Sequence, residues 1–146
     1  INVVLILKKM KAEIEEFHLG VGIGSLNTAI KDLAIGMDGP AFYKARNALE
    51  KARKNDQKIN FSGKKQKLSL YISSLLLLLI NIIENWTEKQ LEAVRLKKRK
   101  LTNQEIAREI GKSRTAVIDR LQRADWKTYL YIEDLLSEVL NYPQKM

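Results

Sequence analysis

Apolar and polar residues alternate with a helical period at the start of the chain. Between residues 2 and 17 the apolar side chains are Val3, Leu7, Met10, Ile14 and Phe17. Spacings of three and four residues place these side chains on one face of an α-helix, so this segment is predicted to be an amphipathic helix. The β-branched residues near its start leave a strand possible over residues 3–7.

The pattern then changes to a period of two. In residues 18–26, HLGVGIGSL, apolar residues alternate with histidine and glycine, which predicts a strand whose glycine face lets another element approach the backbone closely. The turn sequence Asp38-Gly39-Pro40 precedes a predicted helix over residues 41–54, because proline fits the first turn of a helix. A short extended segment is predicted over residues 58–61.

A long apolar run follows. Residues 70–83, LYISSLLLLLINII, contain no charged side chain. The run covers 14 residues, whereas a membrane-spanning helix needs about 20, so it predicts a buried helix within a longer helix over residues 69–85. The alternative is that one face is exposed, in which case it would form a dimer surface or an aggregation site.

Beyond this run the sequence contains the start and stop signals of short helices. Thr87 with Gln90, and Thr102 with Glu105, have the spacing of capping boxes, in which a hydroxyl and a carboxylate or amide satisfy the first free N–H groups of a helix. Gly111 is placed to end one helix and Ser113 to cap the next. The last helix either breaks near Trp126 or continues through it; the pattern does not choose.

The segment 102–122, TNQEIAREIGKSRTAVIDRLQ, has the spacing of a helix-turn-helix. Such a unit needs a small residue where two helices cross, a residue that tolerates left-handed backbone in the turn, and branched apolar residues that lock the second helix onto the first. Ala107, Gly111 and Val117 fill these positions, and Ile106, Ile110 and Leu121 complete the inner faces. The alternative is a helical hairpin with solvated charges and no DNA partner.

In a helix-turn-helix, the second helix enters the major groove of DNA. Its groove-facing side chains would be Arg114, Thr115, Ile118, Asp119 and Gln122. Side chains predicted to contact phosphates are Lys97, Lys98, Arg99, Lys100, Gln104, Arg108, Lys112, Ser113 and Arg120. Two positions depart from the usual pattern: Lys112 stands where an apolar residue is common, and Asp119 would be repelled by phosphate unless it accepts from cytosine or pairs with Arg123.

The charge of the chain supports an acidic partner. The net charge is +9, which favours nucleic acid or an anionic membrane surface. Residues 86–127 contain 12 basic and 6 acidic residues, 12 − 6 = +6, so the excess is densest around the helix-turn-helix segment. The chain has no cysteine, so it has no disulfide framework, and a reducing cytoplasmic location is expected.

Residues for catalysis or metal binding are sparse. His18 is the only histidine, so a histidine-based zinc site or a histidine-assisted nucleophile has no partners, and a surface or strand-edge role is expected. Trp86 and Trp126 are expected to pack the helical core. We therefore predict no catalytic residue, no metal and no cofactor.

Two segments together resemble a known family. The first is GVGIGSLNTAIKDLAIGMDGPAFYKARNALEKAR (20–53), and the second is WTEKQLEAVRLKKRKLTNQEIAREIGKSRTAVIDRLQRADWKTYL (86–130). Both are similar to the bacterial SatD family, in which a glycine-rich strand, a DGPA helix start and a C-terminal helix-turn-helix occur in this order. The resemblance implies this architecture, a role in regulation, and that an N-terminal strand-bearing portion precedes this chain. The resemblance therefore indicates the arrangement of the structural elements more than any particular chemical activity.

A weaker similarity links residues 20–56 to the end of a nucleotidyl-cyclase palm. Palm enzymes hold metal ions on acidic residues of earlier strands, which are not in this chain, and Asp38 alone cannot hold a metal. The first part is therefore expected to be an inherited scaffold and not an intact active site.

The patterns together predict an α+β fold that is predominantly helical. Residues 1–65 would form a partial, palm-like α/β unit and residues 69–142 a helical DNA-binding unit with the helix-turn-helix at 102–125. The expected function is DNA binding by a homodimeric transcriptional regulator, not an enzyme, with no membrane partner. Two alternatives stay open: a nucleotide-sensing or degenerate palm protein, and a protein-interaction module that dimerises through residues 70–83.

Overall fold

A computed structural model of the chain describes residues 16–30 and 35–141, so most of the helix predicted over residues 2–17 lies outside the described residues. Within the described ranges the chain is α+β and predominantly helical, as predicted, with six helices and a two-stranded parallel sheet. The elements in chain order are β1 (Leu19–Gly22), α1 (Pro40–Lys54), β2 (Ile59–Ser62), α2 (Gln66–Glu84), α3 (Glu88–Lys98), α4 (Asn103–Glu109), α5 (Arg114–Arg123) and α6 (Trp126–Asn141).

The two strands and α1 form a β-α-β unit. β1 and β2 pair in parallel, with Leu19 opposite Ile59 and Gly22 opposite Ser62. α1 packs directly on the glycine face of β1, as the alternation predicted: a Cβ atom at Gly22 would lie 2.3 Å from the carbonyl oxygen of Ala41. No side chain fits into that space, so glycine is required there for the helix to approach the strand.

Helix α2 covers the outer edge of β2. The hydroxyl of Ser73, a buried side chain, accepts from the backbone N–H of Phe61 at 2.9 Å, and one turn earlier Ser69 accepts from the N–H of Gly63 at 2.9 Å. Strand edges with free N–H groups are open to pairing with other chains. Two serines four residues apart on α2 therefore satisfy donors along this edge.

The apolar helix is buried on one side only. Ile72, Leu79 and Ile80 are buried, whereas Leu70 is 63% and Leu78 is 54% exposed. The prediction of a buried helix is therefore confirmed for one face of α2 and is wrong for the opposite face. With 19 residues and a mean hydropathy of 1.7 over its most apolar window, 28% of which is buried, α2 is also long and apolar enough to cross a membrane by length and composition alone.

The chain divides into two compact units, with the division between Ile80 and Asn81, near the end of α2. The sequence placed a boundary between residues 65 and 69, where the strand pattern ends; that boundary stays a prediction, since α2 runs continuously through both positions.

The core of the second unit is built around aromatic residues. The indole N–H of the buried Trp86 donates to the carbonyl of Ala124 at 2.6 Å, and its ring meets the ring of Tyr129 edge-on at 5.0 Å. Trp126 stacks on Tyr129 with ring centroids 5.6 Å apart but is only half-buried. The break left open near Trp126 is present, because Asp125 has a φ of 49° and separates α5 from α6.

Tyr129 is also the centre of a polar cluster. Its hydroxyl donates to a carboxylate oxygen of Glu133 at 2.8 Å and receives a hydrogen bond from the ammonium group of Lys98 at 3.0 Å. Burial and the neighbouring carboxylate raise the pKa of Tyr129 well above its ordinary value. The phenol therefore stays protonated and holds α3 against α6.

Candidate functional site

The candidate site is built on α4 and α5, and both predicted capping boxes of the second unit are present. At α4, the hydroxyl of Thr102 accepts from the backbone N–H of Glu105, and the carboxylate of Glu105 accepts from the N–H of Thr102 at 2.7 Å. The hydrogen bonds from the backbone and hydroxyl of Thr102 lower the pKa of Glu105. The start of α4 is therefore fixed at neutral pH.

The turn between α4 and α5 is closed by a Schellman motif. Gly111 has a φ of +62°, and the N–H of Lys112 reaches back to the carbonyl of Ala107 at 2.9 Å, which is the bond that defines the motif. A Cβ atom at Gly111 would meet nothing within 4 Å. Glycine is favoured here by the backbone conformation alone, as the sequence predicted.

The second helix begins directly after this turn. Ser113 is its N-cap and accepts from the N–H of Ala116 at 3.1 Å, which confirms the predicted cap. Ile106 and Val117 are fully buried, and Ala107 and Leu121 nearly so. These side chains hold α4 and α5 as one rigid pair.

The opposite face of α5 points outward. At 100° per residue the five predicted base-facing side chains fall within an arc of about 140°, and the buried Leu121 and Val117 lie about 20° and 60° beyond its Arg114 edge. Ile118 is half-buried, and the other four, Arg114, Thr115, Asp119 and Gln122, are exposed. The structure thus brings all five to one side of one helix and leaves the face accessible.

Asp119 has the intrahelical partner that the sequence offered as one option. Its carboxylate accepts from the guanidinium Nε of Arg123 at 2.9 Å, and both side chains are more than half exposed. The pair offsets the negative charge on the outer face of α5. An exposed pair of this spacing contributes only about 0.3–0.5 kcal/mol to stability.

Three of the nine predicted phosphate contacts are engaged with acidic residues. Lys98 pairs with Glu133, and Arg99 with Glu109 at 3.1 Å. Arg120 pairs with Glu92 of α3 at 3.0 Å and its side chain is only 15% exposed. Arg120 therefore ties α5 to α3, and a phosphate could reach it only by displacing Glu92.

The other predicted cations are disposed differently. Lys97 donates to the side-chain oxygen of Asn103 at 2.9 Å and to the carbonyl of Leu101. Lys100, Arg108 and Lys112 are exposed, and within residues 16–30 and 35–141 none of them forms an ion pair with a carboxylate. Gln104 and Ser113 are also exposed.

Lys100 has an unusual backbone conformation. Its φ is +65°, a region in which a residue with a Cβ atom costs about 1 kcal/mol relative to glycine. Lys100 follows Arg99, the C-cap of α3, at the position where glycine is the common helix-ending residue. Sequence pattern gave no sign of this conformation, because nothing in the surrounding residues marks the end of α3 at Lys98.

A shallow cavity of about 510 Å³ adjoins the outer face of α5. Ile118 and Gln122 line it from α5, Trp126 and Lys127 from the first turn of α6, and Asn103 from α4. Sequence reasoning missed Asn103 and Lys127 as neighbours of this face. Their position depends on how the break at Asp125 directs α6, which the pattern did not determine.

Across residues 16–30 and 35–141, no group of three or more histidine, cysteine, aspartate or glutamate residues could hold a metal ion. The ring Nδ1 of His18 hydrogen-bonds to the carbonyl of Gln57 at 2.8 Å, beside the start of β1.

The fold and the site define an α+β protein with a small β-α-β unit and a helical unit that presents a basic surface on a rigid helix pair. The family model of the SatD family matches residues 2–140, and the chain belongs to this family. No significant match to a curated protein or to a solved structure was found.

Proposed function

We propose that the protein binds double-stranded DNA through a helix-turn-helix formed by α4 and α5, with α5 as the recognition helix, and that it acts as a transcriptional regulator in the cytoplasm. One observation carries the proposal: Arg114, Thr115 and Gln122 are exposed on the outer face of a helix whose inner face is locked by Val117 and Leu121. A rigid helix with free polar side chains on one face suits the major groove.

The chemistry of this face fits base edges. A guanidinium such as that of Arg114 pairs with a guanine edge, an amide such as that of Gln122 with adenine, and the methyl groups of Thr115 and Ile118 with a thymine methyl. The pairing of Asp119 with Arg123 at 2.9 Å reduces the repulsion between a carboxylate and the phosphate backbone. The whole face is thereby compatible with a strongly negative groove.

Contacts to the backbone would come from cations that have no acidic partner in the described chain. Lys100, Arg108 and Lys112 meet this condition, and together with Lys97 and the polar Gln104 they flank the helix pair. Phosphate contacts of this kind position the protein and make affinity fall with salt. Lys98, Arg99 and Arg120 are assigned to the protein's own structure instead.

Selection of bound duplexes from a random pool tests the proposal. We expect an enriched sequence with wild-type protein, and loss of preference at one base pair, with a cost of about 1–3 kcal/mol, for Arg114→Ala. Arg95→Ala is the matched control, because Arg95 is an exposed arginine on α3 outside the proposed interface. Failure to enrich any sequence, or equal effects of the two variants, would contradict the proposal.

A second observation favours a homodimer. Leu70, Tyr71 and Leu78 lie within an arc of about 100° on α2, all more than half exposed, in a stretch of 16 residues, 68–83, without charge. Exposed apolar patches of this kind mark interaction surfaces. A dimer would also place two recognition helices on two half-sites. This matters because one recognition helix reads too few base pairs for specificity in a genome.

Sedimentation equilibrium tests the dimer. We expect a dimer at tens of micromolar for the wild type and a monomer with an unchanged circular dichroism spectrum for Leu78→Lys. A wild-type monomer at that concentration would refute the dimer, and aggregation relieved only by detergent would favour a membrane-bound α2 instead.

A further inference from the structure

The first unit has a cavity of about 830 Å³ between α1 and the segment that joins β2 to α2. This volume lies within the range of small-molecule sites, about 300–1,000 Å³. Its lining residues belong to the first unit, whereas the helix pair of the proposed DNA interface belongs to the second. The proposed function therefore leaves this cavity without a role.

The charged side chains in the described lining of the cavity all have the same sign. Lys51 comes from α1, and Lys64 and Lys67 from the connecting segment and the first turn of α2. No aspartate or glutamate occurs among the described residues of the lining. The ammonium groups of Lys51 and Lys67 around one concave space, with no aspartate or glutamate in its described lining, create a local potential that attracts anions.

The remaining lining groups are neutral and polar. Asn47 lies one turn before Lys51 on α1, Asn55, the C-cap of α1, lies one turn after it, and Asn60 extends from β2. Amides donate and accept hydrogen bonds without adding charge. They suit the sugar or base of a phosphorylated compound better than they suit a second phosphate.

The connecting segment is held in place. Ser69 accepts from the N–H of Gly63 at 2.9 Å and donates to the carbonyl of Lys65 at 2.9 Å, and this brackets the backbone of Lys64. A loop fixed before the ligand arrives loses less conformational entropy on binding. The lysines are therefore carried on two rigid walls.

We propose that this cavity binds a small organic ligand with at least two phosphate groups, such as a nucleoside di- or triphosphate, with the lysines on the phosphates and the asparagines on the remainder. Two adjacent phosphates carry enough charge to engage both Lys51 and Lys67, whereas one phosphate is less able to engage both. A concave site between a helix and a loop accommodates a small molecule and not a rigid duplex. The inference does not depend on DNA binding by α5.

Calorimetry with the full chain and sodium pyrophosphate tests the proposal. We expect one site per chain, at least tenfold tighter for pyrophosphate than for inorganic phosphate, and a Kd raised about tenfold or more by Lys51→Gln or Lys67→Gln, because each removes a charge-assisted contact. Lys65→Gln is the matched control: it lies between Lys64 and Lys67 in sequence but does not line the cavity. Its Kd should change less than about threefold.

Three results would overturn the proposal. One is no binding of pyrophosphate at millimolar concentration, and another is equal weakening by Lys51→Gln and Lys65→Gln, which would indicate general attraction by a basic surface. The third is displacement of pyrophosphate by duplex DNA together with a loss of DNA affinity in Lys67→Gln, which would assign the cavity to a nucleic-acid surface. Loss of DNA binding in Arg114→Ala, with pyrophosphate binding intact, would leave the two sites independent.

Discussion

Substitution of Lys100 is expected to change stability and DNA affinity in opposite directions. Its φ of +65° is a conformation that glycine adopts freely, so Lys100→Gly should raise the free energy of unfolding of the helical unit by about 1 kcal/mol. For a unit of 60–100 residues this corresponds to an increase in Tm of about 4–8 °C. The same change removes an exposed cation that we assign to a phosphate contact, so DNA affinity should fall.

The loss of affinity has a defined salt signature. Each phosphate contact contributes about 0.9 to the slope of log K against log salt concentration, so Lys100→Gly should reduce that slope by about 0.9 per chain, or about 1.8 for a dimer on two half-sites. Fluorescence anisotropy with a labelled duplex at several salt concentrations measures the slope, and urea denaturation measures stability.

Two matched variants sharpen the result. Lys100→Asn also tolerates left-handed backbone and removes the charge, so it should reproduce the change in slope. Lys98→Ala should leave the slope unchanged, because Lys98 is already bound to Glu133 and Tyr129. A destabilised Lys100→Gly, or equal slopes for Lys100→Gly and Lys98→Ala, would refute the reasoning.

The structure makes three further predictions about stability. Ser73→Ala leaves a buried strand N–H without its acceptor and should lower the free energy of unfolding of the first unit by about 1–3 kcal/mol, measured by urea denaturation. Ser74→Ala is the control, because it removes only an exposed hydrogen bond to the backbone of α2 itself. It should change the free energy of unfolding by less than about 0.5 kcal/mol. Gly22→Ala should prevent α1 from packing on β1, seen as faster proteolysis of the first unit; wild-type resistance would contradict this. Trp86→Phe loses the 2.6 Å bond to Ala124 and should lower Tm, with an unchanged Tm as the contrary result.

The sequence pattern predicted the helix caps and the turn correctly because these features depend on residues close together in the chain. The capping boxes at Thr87 and Thr102, the glycine turn at 111 and the close approach of α1 to the glycines of β1 each depend on residues near in sequence or on the absence of a side chain. The five outward residues of α5 followed from helical spacing and from the burial of Val117 and Leu121.

Features that depend on tertiary partners were not readable in this way. The basic run 97–100 looked uniform, yet Lys98 and Arg99 form ion pairs with carboxylates on α6 and α4, while Lys100 does not. Arg120 looked like a surface cation, and Glu92 of α3 holds it. The exposed stripe of α2 was left open as an alternative, because an apolar run gives no indication of which face finds a partner.

The outer face of α5 is the surface that we propose to contact DNA. The most direct measurement is the change in backbone and arginine side-chain NMR signals of the full chain when the selected duplex is added. We predict that the largest changes fall on Lys112, Arg114, Thr115, Ile118 and Gln122, with the signals of Glu92 and Arg120 nearly unchanged. Changes confined to the first unit or to the Glu92–Arg120 side of α5, with the outer face unaffected, would contradict the account.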